Sequence, residues 1–365
     1  MIKVLVLTGG LSVDYLSDMV WINLATDTRI NFFSNIYPSF FFSKNNLNLA
    51  WGKGFTLYGK LDKDLIKSSP SQEELIYMIR SGYYDFIIYS SIRRFSKFFD
   101  IAIDSIGGDK VIAIDGEDDK TLSYHAESCT YFKRELIGLA YSYGVKPISF
   151  FLPNIIITDI RKKIHNNFEK SSLLAPCDPR DKSTYIYKNE TDYYNQYSQA
   201  FFGFTQRKAG WDCLRHYEII ASGCLPYFDR FEYLPDYTLR NYPRDLQIRS
   251  NKLYIKLLAD DLMVNELNQE YEYLKEEFFV WLKESARHYG SKELSNLLFS
   301  KDKIPNYRIS LRKRVLSNAF ACYLYQSETK LKYNYMKYIH PLLFTIKDLI
   351  RYFIYLPLKK YLFKL

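Results

Sequence analysis

The chain has 365 residues, 47% hydrophobic, 25% charged and 18% aromatic, which suits a globular protein of two ordinary-sized domains and excludes a disordered one. Its formal net charge of +9 favours an anionic partner (nucleic acid, anionic lipid or a phosphorylated substrate) without choosing among them. Five scattered cysteines, Cys129, Cys177, Cys213, Cys224 and Cys322, never in C-x-x-C spacing, argue against a disulfide framework and against structural zinc.

The opening, Ile2 to Thr8, is a β-branched apolar run meeting Gly9-Gly10, the pattern of a buried parallel strand ending in a turn. It is too short for a signal peptide, and no run of 18 apolar residues follows anywhere, so a cytoplasmic chain is expected. A helix is predicted from about Val13 to Ala25, then strands over Arg29 to Ser34 and Phe55 to Tyr58. Ser71 to Arg80 reads as a helix, with Ser71 as N-cap, Glu74 three residues on and Gly82 as a stop. Asp85 to Ser90 is a strand, Phe95 to Ile106 a helix, and Lys110 to Asp115 a strand running into the acidic loop Gly116-Glu117-Asp118-Asp119. Strands and helices alternate with connections too long for hairpins, which predicts a parallel, doubly wound sheet closing near Ile148 to Pro153. Thr158 to Tyr197 is polar and leads into a second domain, which continues through the segments Leu253 to Leu257 and Leu262 to Lys283.

The chemistry concentrates in residues 205–228, TQRKAGWDCLRHYEIIASGCLPYF. Asp212 is a candidate N-cap, Cys213 to Ser222 favours a helix, and Gly223 sits where a left-handed C-terminal cap belongs. By three- and four-residue spacing, Leu214, Tyr217 and Ala221 share an apolar face, and Arg215, Glu218 and Ser222 share another. A carboxylate at Glu218 can accept two ribose hydroxyls. Arg207, Lys208 and the turn at Gly210 precede the helix start, whose free N–H groups favour a diphosphate, and Arg215 can add a bidentate contact. The plainer alternative is an amphipathic helix capped by Asp212, with a surface Arg215–Glu218 ion pair.

The run from Glu218 to Pro226, EIIASGCLP, resembles the nucleotide-sugar helix of GT-B glycosyltransferases, and is similar to the matching segment of exostosin-like transferases. The resemblance covers about twenty residues and implies two Rossmann-like α/β domains facing a cleft. It makes 1–155 the acceptor domain and 156–325 the nucleotide-sugar domain, and the residue pattern beyond them is a basic amphipathic tail at 326–365. It further implies a donor site of Arg207, Lys208, Gly210, Asp212, Arg215 and Glu218, with the nucleotide-sugar as substrate, no separate cofactor and no metal. Many retaining members carry a glutamate eight positions before the second; here that position is Gly210, so the retaining mechanism is not implied.

An inverting transfer needs a base to deprotonate the acceptor hydroxyl. Glu117 and Asp118 are candidates, with Asp115 to orient one of them and His125 in reserve. Asp115 and Glu117 are also spaced as a D-x-D-like metal pair, and a solvated acidic turn is the plainer reading. From Lys330 on, aromatic and aliphatic residues interleave with Lys337, Lys347, Arg351, Lys359, Lys360 and Lys364. That pattern fits an interfacial helix on an anionic membrane, a helix packed back on the first domain, or a DNA-facing patch. The expected function is sugar transfer from a nucleotide-sugar to a glycan or lipid-linked acceptor. The alternatives are a DNA-modifying glycosyltransferase of a phage or virus and a non-catalytic protein binding membrane or nucleic acid.

Overall fold

The computed structural model describes residues 1–9, 13–42, 55–136, 140–141, 144–164, 170–259 and 264–300. The expected tail at 326–365 lies outside the described residues. The described residues gather into one compact unit that carries two parallel sheets, so the chain is α/β as its alternating pattern predicts.

The apolar opening run forms β1 (Ile2–Leu7), with Val4 to Leu7 fully buried. It is flanked on one side by β2 (Ile30–Ser34) and on the other by β3 (Phe86–Tyr89). β4 (Val111–Asp115), β5 (Thr130–Lys133) and β6 (Lys146–Pro147) extend the sheet in parallel, giving the order β2-β1-β3-β4-β5-β6. Strand order reverses at β1, and open sheets of this kind place ligands beyond the carboxyl ends of their strands. Between the strands run α1 (Tyr15–Thr26), α2 (Gln72–Arg80) and α3 (Phe99–Ile106). α2 has the expected capping box: Glu74 N donates to Ser71 Oγ, and Ser71 N donates to the Glu74 carboxylate.

Two predicted elements differ. Phe55 to Tyr58 forms no strand but a series of bends, because Thr56 and Gly59 adopt left-handed backbone (φ 74° and 66°) that no ladder accommodates. Leu57 and Tyr58 are nevertheless buried, which explains their apolar pattern. α3 begins four residues later than Phe95, after Phe98 turns left-handed at φ 68°.

After α4 (Asn154–Lys163), a second sheet forms from β7 (Ser172–Leu174), β8 (Ala200–Thr205) and β9 (Leu225–Phe228), again parallel. α5 (Glu190–Ser198) precedes β8, and α6 (Leu214–Ala221) links β8 to β9. α7 (Arg244–Leu258), α8 (Val264–Arg287) and α9 (Lys292–Phe299) follow. The chain then returns to the first sheet: Asn23 Nδ2 donates to Ala286 O at 3.1 Å, and Ser149 N donates to Gly290 O at 3.1 Å. One hydrophobic cluster runs through both halves, from Val4, Trp21 and Ile112 to Phe202, Leu225 and Phe228. The boundary expected after residue 155 falls in the first turn of α4. Among the described residues, no helix is long and apolar enough to cross a membrane.

Candidate functional site

A cavity of about 680 Å³ opens where the two sheets' loops meet. The first half of the chain supplies Tyr15 at the start of α1, Phe55, Asp118 beyond β4, and Phe150 beyond β6. The second half supplies Cys177, Tyr185, Tyr187, Tyr193, the loop 208–210, and Asp212 to Arg215 with Glu218 from α6. Of the residues expected to hold a donor, Lys208, Gly210, Asp212, Arg215 and Glu218 therefore line one space; Arg207 does not. Its guanidinium turns over the Trp211 ring, 5.4 Å from the centroid.

All eight residues of α6 are buried, so the second face, with Arg215 and Glu218, is enclosed as fully as the apolar one. Gly223 has the expected left-handed backbone, φ 72°. The N-cap is Cys213, not Asp212, and no side chain caps the helix start. Asp212 is taken elsewhere: its Oδ2 accepts from Phe150 N at 2.6 Å and its Oδ1 from Tyr217 OH at 3.1 Å. Burial pushes the Asp212 carboxyl up to about 7 against the opposing charge of Arg134.

Glu218 is 6% exposed and borders the cavity. One carboxylate oxygen accepts from Thr56 Oγ1, the other from Tyr193 OH at 2.7 Å. Burial raises its pKa, and the two hydroxyl bonds oppose the shift. Ionised, the carboxylate offers roughly four acceptor places, so two remain. Thr56 is itself fixed, its N–H donating to Glu190 Oε1 at 2.9 Å and its hydroxyl lying 2.9 Å from Tyr194 OH. Glu190 is in turn clamped by Lys60 and Lys163 at 2.5 and 2.6 Å. The Arg215–Glu218 ion pair of the plainer alternative does not form. Arg215 Nη2 instead donates to Tyr185 OH at 2.5 Å, and Lys208 Nζ reaches the same oxygen at 3.3 Å.

The acidic loop divides. Asp115 is 1% exposed and structural: it accepts from Lys133 Nζ at 2.9 Å, Tyr131 OH at 2.7 Å and Glu117 N at 3.1 Å. It stands off the cavity, which removes it as a catalytic candidate. Glu117 also stands off the cavity and pairs with Arg94 Nε at 2.7 Å; that guanidinium holds its carboxyl below the usual range, against a role as base. Asp118 alone of the three reaches the cavity, with its side chain 51% exposed and paired to Arg134. His125 is buried against Phe99 and Ser123, away from the cavity, and burial lowers its pKa.

Arg134 is the residue sequence reasoning missed. Almost wholly buried, it donates to Gly116 O at 2.9 Å and Asp212 O at 2.7 Å while pairing with Asp118 and Glu135, so it ties the acidic loop to the turn before α6. Gly210 lies against this cluster; a Cβ there would stand 2.5 Å from Glu135 Oε1 and 2.8 Å from Asp118 Oδ1. Thr56, Tyr185 and Tyr193 were also missed; the signal for the two tyrosines was the density of tyrosine between 185 and 197, and Thr56 carried none. Among the described residues, no group of three or more His, Cys, Asp or Glu side chains could hold a metal ion. No family model, curated protein or solved structure matches the chain.

Proposed function

We propose that the cavity binds a nucleotide-sugar and transfers its sugar to a hydroxyl of a glycan or glycolipid, in a GT-B-like arrangement of the two halves. The observation that carries this reading is the convergence on one cavity of a helix start, two cations and a carboxylate from the second half with a carboxylate from the first. Glu218, its geometry set by Thr56 and Tyr193, accepts the ribose hydroxyls at its remaining lone pairs. Arg215 and Lys208, with the uncapped start of α6, face the diphosphate and stabilise the charge that develops on it as the bond to the sugar breaks. The acceptor oxygen attacks the anomeric carbon, the bonding pair leaves with the diphosphate, and the hydroxyl proton passes to Asp118. The aromatic walls at Tyr15, Phe55 and Phe150 exclude water from the activated sugar.

Calorimetry against a panel of nucleoside diphosphates tests the donor site. Binding is expected for one of them, weakened about tenfold (~1.4 kcal/mol) in a Glu218→Gln protein that melts like the wild type. No binding at millimolar ligand, or equal affinity in the variant, removes the proposal. Release of free nucleoside diphosphate from the matching nucleotide-sugar, lost in Asp118→Asn, then tests transfer.

A further inference from the structure

Lys208 and Arg215 share an unusual property: among the described residues, neither is matched by an ion-paired carboxylate, although both belong to a wall that also contains one. Their charges instead converge on one neutral oxygen, the Tyr185 phenol, and both also lie over its ring, 5.4 and 5.5 Å from the centroid. Arg215 is nine-tenths buried, and its Nε has no hydrogen-bond partner. A buried charged donor left unpaired costs about 1–3 kcal/mol or more, so native proteins keep such a group where a ligand or water completes it.

Hydrogen-bond directionality adds a constraint. A phenol oxygen that accepts from an ammonium and a guanidinium still has its own O–H to give, and no described residue receives it. Two uncompensated cations, an orphaned guanidinium nitrogen and a phenolic O–H therefore meet on one side of the cavity, beside the uncapped start of α6. Every one of them is a donor. The chemical class that satisfies four kinds of donor and two positive charges at once is a diphosphate.

We propose that Tyr185 joins Arg215 and Lys208 as a donor to the bound diphosphate, and that these three residues bind inorganic pyrophosphate without any nucleoside. This deepens the nucleotide-sugar reading and rests on it only for its place in the catalytic cycle. Tyr185 replaces Arg207, which the sequence suggested and which Trp211 holds away. The phenol accepts from both cations when the site is empty, then supplies a neutral donor to the diphosphate that adds no further positive charge to hold back its departure.

The test is calorimetry of the full chain with inorganic pyrophosphate, with orthophosphate and with a phosphate-free nucleoside, on wild type, Tyr185→Phe and Arg215→Lys. Pyrophosphate is expected to bind more tightly than orthophosphate. Tyr185→Phe keeps the ring and both cations, and is expected to weaken pyrophosphate about tenfold while leaving nucleoside affinity unchanged; Arg215→Lys weakens it further. Equal pyrophosphate affinity in Tyr185→Phe overturns the assignment, as does a parallel loss of nucleoside binding, which would mark Tyr185 as packing alone. If a nucleoside diphosphate binds and pyrophosphate does not, this inference falls while the transferase reading stands. If pyrophosphate binds and no nucleotide-sugar is turned over, the transferase reading falls and the cradle stands.

Discussion

Asp212 illustrates how far a single residue departs from its local pattern. An aspartate just before a helical run is a common N-cap, but burial lets a stronger demand win: Phe150 N–H, in the link between the sheets, has no other acceptor among the described residues. The carboxyl is thereby enclosed, with Arg134, Glu135, Tyr217 and Tyr242 as its titratable and charged neighbours, and raised to about 7. The unfolded chain titrates it near the ordinary value of about 3.9. A carboxyl raised on folding gives stability that is complete below the unfolded pKa and lost as pH climbs through the folded one. Relative to Asp212→Asn, wild-type unfolding free energy should therefore decline between about pH 4 and pH 7, by roughly 4 kcal/mol at most, and run level above that. Urea melts across the range measure the difference, and parallel curves for the two proteins would refute the shift. At this scale the sequence showed which residues carry the charge near the site, Lys208, Arg215, Glu218 and Asp118. It did not show their partners, since Thr56 lies 162 residues from Glu218, Arg134 78 from Asp212 and Tyr185 30 from Arg215.

Elements were legible where local chemistry decides them. β1, β3 and β4 are continuous apolar runs, α2 announces itself by its capping box, and Gly223 ends α6 as placed. β5 and β6 were not legible, because the short runs TYFK and KP owe their strand state to pairing with β4 and with each other. The seating of α6 shows a further dependence on tertiary contact. Gly203 in β8 has no side chain, and Ile219 of α6 packs directly over it; a Cβ at Gly203 would lie 2.8–3.0 Å from three carbons of Ile219. That Cβ must push α6, and with it Arg215 and Glu218, off the sheet. Gly203→Ala should lose about 1–3 kcal/mol despite the better strand propensity of alanine, and should weaken nucleotide binding with it. Pairing it with Ile219→Val, which removes one of the crowding carbons, should recover part of both losses. An additive outcome in the double variant would show that the contact does not set the helix position.

At the scale of the molecule, strand–helix alternation pointed to a parallel sheet in the first half, the resemblance implied a second α/β domain, and two parallel sheets are present. What the pattern could not convey is how thoroughly they are joined. Arg134 spans from Gly116 O to Asp212 O, Thr56 from Glu190 to Glu218, and Asp212 from α6 to Phe150. The return of the chain adds Tyr289 OH on Asp27, Asn23 on Ala286 O, and Arg29 over the Phe299 ring at 3.8 Å. Leu294 and Leu298 join the same hydrophobic cluster as Val4 and Phe202. Sheets sharing one core and several buried polar ties should unfold together, because exposing either strips the other of partners. A chain ending at residue 300 should accordingly melt in one calorimetric transition whose van't Hoff and calorimetric enthalpies agree. Ending it at Glu284 instead removes two buried leucines and three hydrogen-bonded ties across to the first sheet. At about 2 kcal/mol per leucine and about 1 per hydrogen bond, that costs on the order of 7 kcal/mol, comparable to the whole stability of many proteins. Two resolved transitions in the longer chain, or an unchanged melting temperature in the shorter one, would show that the second sheet stands apart from the first. In that event the cavity between them would be a loose crevice, and the positions of Asp118 and Glu218 relative to each other would carry no mechanism.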